Sequence, residues 1–497
     1  MPSVLPSVLA DGQNMKKNKI SLNLNIGELY GKFVQFSFIC TDTRKIVPNS
    51  LFFCLKGENF DGNLFVNEAL EKGAAYVITE GRKEKGEKEK REKEKGKEGK
   101  ENRIIIVDNV LTTLQQLAIH HRKHLQIPII GITGSNGKTS TKELIASILS
   151  KKYKTAYTQG NLNNHIGVPL TLLSIKKEDE IAIIEMGANH LGEIAELCKI
   201  AQPDYGLITN IGKAHLEGFG SVENIIETKT ALYRAAQVLF VNAGDELLRE
   251  KAREHESTKG EREEKILLLS EEKVADGGLP PDDGRGVKTI FYGKTTPING
   301  HITEMNPYLV IELFGNKFQT HLTGNYNLPN ILGAAAIGRY FDIPDQDICD
   351  AIAEYTPLNH RSQIIKSGTN TIIADCYNAN PTSMKAALDN FLQIEAPHKL
   401  AILGDMLELG ENSLSEHKAI INFCESNHLK TIFIGSIFYT QKNEHALFFA
   451  NVEDCNHYLK SSSILEGRTP EGQDSLYQNN LILLKASRGI HLENIML

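Results

Sequence analysis

The chain has 497 residues, which exceeds the size of one ordinary hydrophobic core and predicts two to four domains. Its content of 41% hydrophobic and 24% charged residues is typical of a soluble globular protein, and its net charge of −7 provides no global attraction to nucleic acid or anionic membranes. Because no apolar run approaches the roughly 18 to 20 residues that span a bilayer, and the first residues lack the pattern of a secretory leader, we expect a cytoplasmic protein.

Three polar or irregular segments interrupt the pattern of folded elements. Residues 1–18 show no amphipathic period and predict a loose extension. Residues 82–103 are almost all Lys, Glu, Arg or Gly, so we expect a solvated insertion with no apolar side chain to bury. A second insertion is expected at about residues 253–287, which are polar at first and then rich in Gly, Pro and Asp.

Short apolar runs alternate with helical patterns along the rest of the chain. The first hundred or so residues predict a smaller α/β unit, with VPNSLFFCLKG and DGNLFVNEALEKGAAYVI as its clearest segments. Two further series follow, and their predicted strands are IPIIGITG from Ile127, IAIIEMG from Ile181, GLITNIG from Gly206 and VLFVNA from Val238, then TIIADCY from Thr371, KLAILGDM from Lys399, TIFIGS from Thr431 and LILLKAS from Leu481. This alternation predicts an α/β protein in which two parallel-sheet domains hold a ligand between them.

The segment IPIIGITGSNGKTSTKELIASILSKK predicts a buried strand, a glycine-rich turn and a helix. The residues that would share the sheet-facing side of this helix are Leu144, Ile145, Ile148 and Leu149. Gly134 and Gly137 let backbone N–H groups approach phosphate oxygens at the helix N-terminus. Lys138 can reach the outer phosphates of a nucleotide, and Thr139 can hold magnesium through its hydroxyl. The spacing is a short GxxGKT form; a glycine turn without a ligand is the alternative, but the four features together favour nucleotide binding.

Three side chains outside the loop are candidates for metal binding or catalysis. Glu185 ends the predicted strand IAIIEMG, where open α/β sheets place ligand-binding groups, and its carboxylate suits a magnesium ligand facing Thr139. A solvated carboxylate is the alternative. His215 follows another strand end but resembles an ordinary polar loop residue, and Lys229 by itself would be a helix-surface lysine. The seven scattered cysteines form no CxxC pair and favour reduced structural thiols over a zinc site.

Seven strings occur in one order along the chain: TGSNGKTSTKEL, GNLNNHIGVPLTLL, EMGANHLGEI, NIGKAHLEGFGS, GNYNLPNILGAAAIG, DCYNANPTSMKAAL and LGDMLELG. They resemble the Mur ligases from about Leu22 to the end of the chain, apart from the two insertions. Within that family, YNANP and GDMLELG favour the members that add D-alanyl-D-alanine to UDP-N-acetylmuramoyl-tripeptide. The resemblance implies a small N-terminal α/β UDP-binding domain at 19–125, a central P-loop ATPase-like parallel-sheet domain at 126–356 and a C-terminal Rossmann-like domain at 357–497.

The same resemblance implies roles for residues of the first two domains. The implied substrate contacts are Thr43, Arg44, Lys56, Gly57, Asn163 and Asn164. The implied ATP contacts are Gly134, Ser135, Asn136, Gly137, Lys138, Thr139 and Ser140, with Asn327 and Asn330 at the adenine. The implied catalytic and metal-binding set is Lys138, Thr139, Glu185, His215 and Lys229, in which His215 binds a second magnesium. Lys229 aligns with a lysine that some relatives carry as a carbamate, but KTA stands here where many relatives have KGE, which leaves that modification open.

In the C-terminal domain, the resemblance implies that Arg361 reaches the nucleotide and that Asp375 binds a ribose hydroxyl. The loop beside ATP and the incoming dipeptide would present Tyr377, Asn378 and Asn380. A basic cluster at a later strand end contains Lys485, Ser487 and Arg488. An ordinary loop contact is the alternative for each of these residues.

The implied reaction begins when the tripeptide carboxylate attacks the γ-phosphorus of ATP and forms an acyl phosphate, which the amine of D-alanyl-D-alanine then attacks. ATP and magnesium are the expected cofactors, and the two peptide substrates are the expected partners of a monomer that binds no nucleic acid. Because water would hydrolyse the acyl phosphate, we expect the C-terminal domain to close before the chemistry.

Three other functions compete with this interpretation. Another acyl-phosphate ligase of the superfamily would share the phosphate loop but should lack YNANP and GDMLELG. A P-loop kinase or motor NTPase would leave the late Rossmann-like series unexplained. A non-catalytic protein that retains the fold would have no need of Lys138, Thr139, Glu185 and His215.

Overall fold

The computed structural model describes residues 25–58, 60–80, 103–258, 288–293, 295–358, 360–461 and 480–496. The predicted extension, the insertion up to residue 102 and residues 259–287 of the second insertion lie outside this part of the chain. Residues 253–258, which we had assigned to the second insertion, belong to the helix Glu246–Thr258. The chain divides into two compact units, residues 1–117 and 118–497.

The first unit has an α/β core, as the sequence predicted. Its strands are β1 (Ile39–Cys40), β2 (Leu51–Phe53), β3 (Lys56–Gly57), β4 (Phe60–Asp61), β5 (Tyr76–Glu80) and β6 (Ile104–Val107). Strands β1-β2-β5-β6 form a parallel sheet, and β3 and β4 form an antiparallel hairpin. All three residues of β2 are fully buried, so this strand lies at the centre of the unit's core.

The second unit begins with a six-stranded sheet, which we call the central sheet. Its strands are β7 (Ile129–Thr133), β8 (Thr155–Tyr157), β9 (Ile181–Glu185), β10 (Tyr205–Ile208), β11 (Val238–Asn242) and β12 (Lys288–Tyr292). They lie in the order β12-β11-β10-β7-β9-β8, and all neighbours are parallel. Strand β7 is buried throughout because sheet neighbours and helices cover it, which explains its continuous apolar sequence.

The helix after β7, Lys138–Leu149, packs its predicted face on this sheet. The four side chains of that face, Leu144, Ile145, Ile148 and Leu149, are all fully buried. A second helix, Leu328–Tyr340, approaches it closely, since a Cβ added to Gly338 would lie 2.6 Å from Cγ2 of Ile148. The small residues of the sequence GAAAIG therefore allow two helices to share one side of the sheet.

A three-stranded antiparallel sheet, which we had not predicted, follows the central sheet. Its strands are β13 (Gly300–Met305), β14 (Tyr308–Leu313) and β15 (Asn316–Thr323). Phe314 and Gly315 connect β14 and β15 with φ values of 54° and 77°, the left-handed backbone of a tight hairpin. The apolar side chains of this sheet, Leu309, Ile311, Leu313 and Leu322, join the core of the central sheet.

The last sheet, which we call the C-terminal sheet, has a parallel core and one antiparallel edge strand. Its strands are β16 (Gln363–Ser367), β17 (Asn370–Asp375), β18 (His398–Gly404), β19 (Thr431–Ile434), β20 (Leu447–Phe449) and β21 (Asn480–Lys485). Their order is β16-β17-β21-β18-β19-β20, with β16 antiparallel to β17. All eight strands named in the sequence analysis are confirmed in the two six-stranded sheets.

The α-helices of the described residues are Ile26–Phe36, Val66–Glu71, Val110–His124, Lys138–Leu149, Gly167–Ser174, Glu193–Ala201, Leu216–Phe219, Val222–Ala235, Glu246–Thr258, Leu328–Tyr340, Asp345–Glu354, Pro381–Gln393, Ser413–Ser426, Ser436–Tyr439 and Val452–Ser461. Not one of these helices has the length and hydropathy that a bilayer-spanning helix needs. All seven cysteines are free and buried.

Candidate active site

The phosphate loop lies where the strand order of the central sheet reverses. Strand β7 has β9 on one side and β10 on the other, so the chain leaves β7 at a crevice between diverging connections. The loop begins at Gly134 with φ 148° and ends at Gly137 with φ 80°, conformations that favour glycine. A Cβ on Gly134 would lie only 1.9 Å from Oγ1 of Thr209, so the position also lacks space for any side chain.

Hydrogen bonds from the segment after β10 hold the loop in place. The Ser135 hydroxyl donates to the Gly212 carbonyl at 2.9 Å, and the Gly212 N–H lies 2.9 Å from the same hydroxyl. The Asn136 N–H donates to Oδ1 of Asn210 at 3.1 Å. The Asn136 carbonyl accepts from Thr209 Oγ1 at 2.6 Å and from Asn210 Nδ2 at 2.9 Å. The loop is thus preorganised by the neighbouring strand end.

Thr139 and Glu185 meet beside the loop, as their sequence positions predicted. Thr139 Oγ1 donates to Glu185 Oε2 at 2.9 Å, and Asn163 Nδ2 donates to Glu185 Oε1 at 2.8 Å. Glu185 is 1% exposed, so the alternative of a solvated carboxylate is excluded. A hydroxyl and a carboxylate beside a phosphate loop are hard oxygen donors, and this donor set fits magnesium, which typically takes one or two carboxylates together with substrate phosphates. Among the described residues there is no cluster of three His, Cys, Asp or Glu side chains around a metal position.

Lys142 is a member of this site that the sequence analysis missed. Its side chain is 1% exposed, and Nζ donates to the Thr158 carbonyl at 2.7 Å and lies 3.9 Å from Glu185 Oε2. The hydroxyl of Thr158 in turn accepts the Glu185 N–H at 2.9 Å. In the sequence Lys142 resembles an ordinary helix residue, since only the folded position of Glu185 reveals its partner.

Two further lysines converge on the start of the loop. Lys138 Nζ donates to the carbonyls of Gly134 at 2.7 Å and Ser135 at 3.3 Å, and Lys229 Nζ donates to the Gly134 carbonyl at 3.2 Å. Burial lowers the pKa of Lys138, with Glu185 opposing that shift. Burial and the neighbouring Lys138 lower the pKa of Lys229 to about 7. Lys229 is 1% exposed, so it is not the helix-surface lysine that its local sequence suggested.

His215 lies in a contact between the central and C-terminal sheets. It has φ 53°, and its Nδ1 forms a short hydrogen bond with the carboxylate of Glu408, whose own φ is 63°. The Glu217 N–H donates to the Glu408 carbonyl at 3.3 Å, and Lys213 lies 3.6 Å from Glu416. Hydrogen bonding to His215 lowers the pKa of Glu408. The structure therefore joins His215 to Glu408, while Glu185 has its own separate partners.

The two predicted adenine contacts are buried beside the loop. Asn327 Nδ2 donates to the Thr323 carbonyl at 2.7 Å, and Asn330 Nδ2 donates to Asn327 Oδ1 at 3.1 Å. A Cβ on Gly137 would lie 2.7 Å from Asn330 Oδ1, which places Asn330 against the loop. A cavity of about 440 Å³ opens here, and its lining includes Thr209, Asn210, Asn242, Asp245, Tyr326 and Asn330.

The sequence analysis missed Asn210 and Asn242 in that cavity. Asn210 follows the predicted strand in GLITNIG, and Asn242 ends the predicted strand in VLFVNA. Their position at the carboxyl ends of strands is the sequence feature that could have identified them. Asp245 accepts the Leu248 N–H at 3.1 Å near the start of the next helix. An aspartate just before a helix that follows VLFVNA is the sequence feature that could have identified Asp245.

Residues of the C-terminal sheet assemble around Tyr377. The guanidinium of Arg361 lies 3.5 Å from the centre of the Tyr377 ring, and that of Arg488 lies 5.3 Å from it. The carboxylate of Asp375 accepts from Lys485 Nζ at 2.5 Å, as expected from the pairing of these residues on adjacent strands. The positive charge of Arg361 also helps to lower the pKa of Lys138, after the larger effect of burial.

The other predicted residues of the C-terminal sheet make loop contacts. Asn378 accepts the Ala379 N–H at 2.9 Å, and Ser487 donates to the Ala379 carbonyl at 3.3 Å. Asn380 Nδ2 donates to Oδ1 of Asn136 at 2.8 Å and so links this sheet to the phosphate loop.

The remaining predicted contacts have local partners. In the first unit, Arg44 donates through Nη2 to Asp42 at 2.8 Å with its side chain 85% exposed, and Lys56 and Gly57 form the exposed strand β3. Thr43 begins the same turn as Arg44, and its carbonyl accepts from Lys72.

In the second unit, Ser140 lies half-buried in the helix after the loop. Asn164, predicted to contact the sugar nucleotide, accepts the N–H groups of Ile166 at 3.1 Å and Gly167 at 2.9 Å. In this structure its side chain therefore holds the turn that leads into the helix Gly167–Ser174.

A parallel α/β sheet with a glycine-bounded phosphate loop at its switch point defines a phosphate-binding class of protein. Three family models match the chain: Mur ligase family, catalytic domain at residues 35–122, Mur ligase middle domain at 132–338, and Mur ligase, glutamate ligase domain at 360–454. UDP-N-acetylmuramoyl-tripeptide--D-alanyl-D-alanine ligase of Bacillus subtilis is 33% identical over 465 residues, which are 92% of each chain. The chain belongs to the Mur ligase family.

Solved structures agree with this assignment. A crystal structure of MurF from Acinetobacter baumannii is 28% identical and covers 92% of each chain with a TM-score of 0.74. The MurF ligase from Thermotoga maritima, solved in complex with ADP, is 25% identical and covers 92% of this chain and 95% of its own, with a TM-score of 0.69.

Proposed function

We propose that this chain is an ATP-dependent ligase that adds D-alanyl-D-alanine to UDP-N-acetylmuramoyl-tripeptide and so forms the UDP-muramoyl-pentapeptide of peptidoglycan synthesis. The observation that carries the proposal is the pairing of Thr139 with Glu185 beside the phosphate loop of a Mur ligase family member. The full-length similarity to ligases of this specificity supports the choice of substrates.

We propose one role for each of the three domains. Residues 19–125 bind the UDP-sugar part of the tripeptide substrate, residues 126–356 bind ATP, and residues 357–497 close over the ATP site before the chemistry. The N-terminal contacts are Thr43, Arg44, Lys56 and Gly57. We further propose that the enzyme is a cytoplasmic monomer, for which the expected mass in sedimentation analysis is that of one chain, 55.2 kDa.

The proposed chemistry uses the groups around the phosphate loop. Lys138 stabilises negative charge on the outer phosphate while the tripeptide carboxylate attacks the γ-phosphorus, which gives an acyl phosphate and ADP. The amine of D-alanyl-D-alanine then attacks the acyl carbon, and phosphate leaves with formation of the amide bond. Thr139 and Glu185 would hold one magnesium ion. His215 would hold a second one, together with Lys229 in a carbamate form, because only that form of the lysine offers anionic oxygen ligands. Bound magnesium would supply positive charge to the phosphoryl oxygens.

The nucleoside part of ATP fits the cavity beside Asn330. A volume of about 440 Å³ with amide and carboxylate groups at its wall suits a base and ribose. We propose that Asn327 and Asn330 contact the adenine and that Arg361 and Asp375 approach the nucleotide from the C-terminal sheet. Asn163 holds Glu185, so its role in the site is to orient the carboxylate as well as to approach substrate.

Phosphate release tests the proposal directly. The purified protein is mixed with ATP, magnesium and UDP-muramoyl-tripeptide that carries either diaminopimelate or lysine, with and without D-alanyl-D-alanine. We expect sustained phosphate release and pentapeptide product only in a complete mixture, and the preferred tripeptide identifies its third residue. Lys138→Ala serves as the matched variant; turnover that persists undiminished in it would rule out the assigned role of Lys138.

A further inference from the structure

The side chain of Asn136 connects the phosphate loop to the C-terminal sheet. Its Oδ1 accepts a hydrogen bond from Nδ2 of Asn380 at 2.8 Å. The backbone of Asn136 is held at the same time by Thr209 and Asn210, through the three hydrogen bonds described above. Because the backbone is fixed on both its N–H and its carbonyl, the direction of the Asn136 side chain follows the conformation of the loop.

Asn380 is equally constrained on its own side of the contact. It is the N-cap of the helix Pro381–Gln393, and its Oδ1 accepts the Ser383 N–H at 2.9 Å. The Ser383 hydroxyl accepts the Asn380 N–H at 3.1 Å, which completes a reciprocal capping box. Since the cap uses the amide oxygen, the amide nitrogen is left to point away from the helix and toward Asn136.

The same helix N-terminus also touches the segment that holds the loop. A Cβ on Gly212 would lie 3.1 Å from Oγ1 of Thr382, so these two residues are in close contact. Gly212 is itself hydrogen-bonded to Ser135 of the phosphate loop. The start of the helix Pro381–Gln393 therefore contacts both the phosphate loop and the segment after β10 that holds this loop in place.

We propose that the hydrogen bond between Asn136 and Asn380 is a positioning contact that docks the C-terminal sheet according to the conformation of the phosphate loop. This inference rests on the proposed ligase function. In the loop conformation described above, Asn136 presents its oxygen in the direction that Asn380 requires, and this contact places the dipeptide-facing loop at residues 377–380 beside the phosphate loop. Asn136 and Asn380 act here as positioning residues, in addition to their proposed ligand contacts.

The decisive variant is Asn380→Asp. An aspartate keeps the size and the cap acceptor for Ser383 but removes the N–H that reaches Asn136. Its partner variant, Asn136→Ala, removes the acceptor, and Asn136→Ser replaces it if the alanine variant does not fold. Asn412→Asp makes the same chemical change at the N-cap of another helix of the C-terminal sheet, where the side chain is exposed, and is the matched control.

We expect each single variant to lower kcat by about tenfold, the effect of one lost hydrogen bond in the closed arrangement. The double variant should be no slower than the slower single variant. Small-angle scattering with ATP and tripeptide should show less compaction in Asn380→Asp than in wild type or Asn412→Asp.

Multiplicative losses in the double variant would overturn the inference, because they would show that the two residues act independently. Unchanged kcat and compaction in Asn380→Asp would overturn it as well. If wild-type protein neither binds ATP nor releases phosphate, the proposed function itself fails, and that outcome is distinguishable because it precedes any comparison of variants.

Discussion

Glu185 and Asp405 are both buried carboxylates at the carboxyl ends of parallel strands, one in each six-stranded sheet, but they differ in their partners. Glu185 is bound by side chains, the Thr139 hydroxyl and the Asn163 amide, which can rotate to other partners. Asp405 accepts two backbone N–H groups, from Ile437 and Phe438, both at 2.9 Å. A carboxylate held by side chains can exchange a partner for a ligand, whereas one that accepts backbone N–H groups is needed by the fold.

The largest expected effect that sharpens this comparison is loss of activity in Glu185→Gln. Glutamine keeps the shape and can still bond Thr139, but it removes the negative charge that would bind magnesium, so we expect kcat/KM to fall on the order of 10² to 10³-fold. Phosphate release at several magnesium concentrations measures this, and thermal melting checks the fold. Full activity with a lowered melting temperature would reverse the assignment and make Glu185 the structural member of the pair.

Asp405→Asn should show the opposite balance. An asparagine can satisfy one of the two backbone N–H groups but turns an NH2 toward the other, so we expect a loss of about 1–3 kcal/mol in unfolding free energy. Urea unfolding measures the loss, while ATP affinity should stay within about twofold.

Asp389→Asn is the control for this experiment, because its carboxylate pairs with Lys385 at an exposed site and its removal should change stability by less than about 0.5 kcal/mol. An Asp405→Asn protein as stable as this control would contradict the structural role of Asp405.

Burial and exposure also decide which strands could be predicted from the sequence. Short apolar runs predicted the strands that are buried on both faces, because such strands have continuous apolar sequences. The antiparallel strands β13 to β15 were not predicted. Residues of β15 alternate between exposed and covered, but this alternation extends over only a few residues and is bounded by the hairpin at Phe314 and Gly315. Edge strands such as β16 were missed because they also lack a long apolar run.

For the site, position in the sequence identified Glu185 but could not reveal its environment. Glu185 and Asp405 both lie at the carboxyl end of a parallel strand, where ligand-binding groups are expected. Only their partners in the folded structure distinguish their roles. Lys142 and Glu408 were missed because their partners, Glu185 and His215, lie 43 and 193 residues away in the chain. Contacts between distant segments leave no local pattern in the sequence. The partners and the burial of Lys142 and Glu408 were therefore not predictable.

His417, which lies beside Asp405, makes the stability of the folded protein depend on pH. Its Nδ1 donates to the Ser413 carbonyl at 2.6 Å and its Nε2 accepts the Met406 N–H at 3.0 Å, so the folded state requires the neutral ring. Burial lowers the pKa of His417 below its ordinary value of 6.5. The stability from this residue is therefore complete above pH 6.5 and is lost as the pH falls toward the lowered pKa, by up to about 1.4 kcal/mol per pH unit.

Urea unfolding of wild type and His417→Gln at pH 7.5 and pH 5.5 tests this expectation. Glutamine can replace both hydrogen bonds without titrating, so the variant should lose less stability than wild type on acidification. Equal losses in the two proteins would show that His417 does not set the acid sensitivity of this loop.

The smallest expected effect concerns Glu408, a carboxylate that is more exposed than the two compared above and that meets one side chain, His215, across the interface. Glu408→Gln keeps a hydrogen bond to His215 but removes the negative charge, and charged contacts at exposed positions contribute about 0 to 1 kcal/mol. We expect kcat to fall about twofold to threefold with a melting temperature within about 1 °C of wild type. A loss as large as that of Glu185→Gln would place Glu408 with the ligand-binding carboxylates, since a contact between sheets of this exposure cannot account for it.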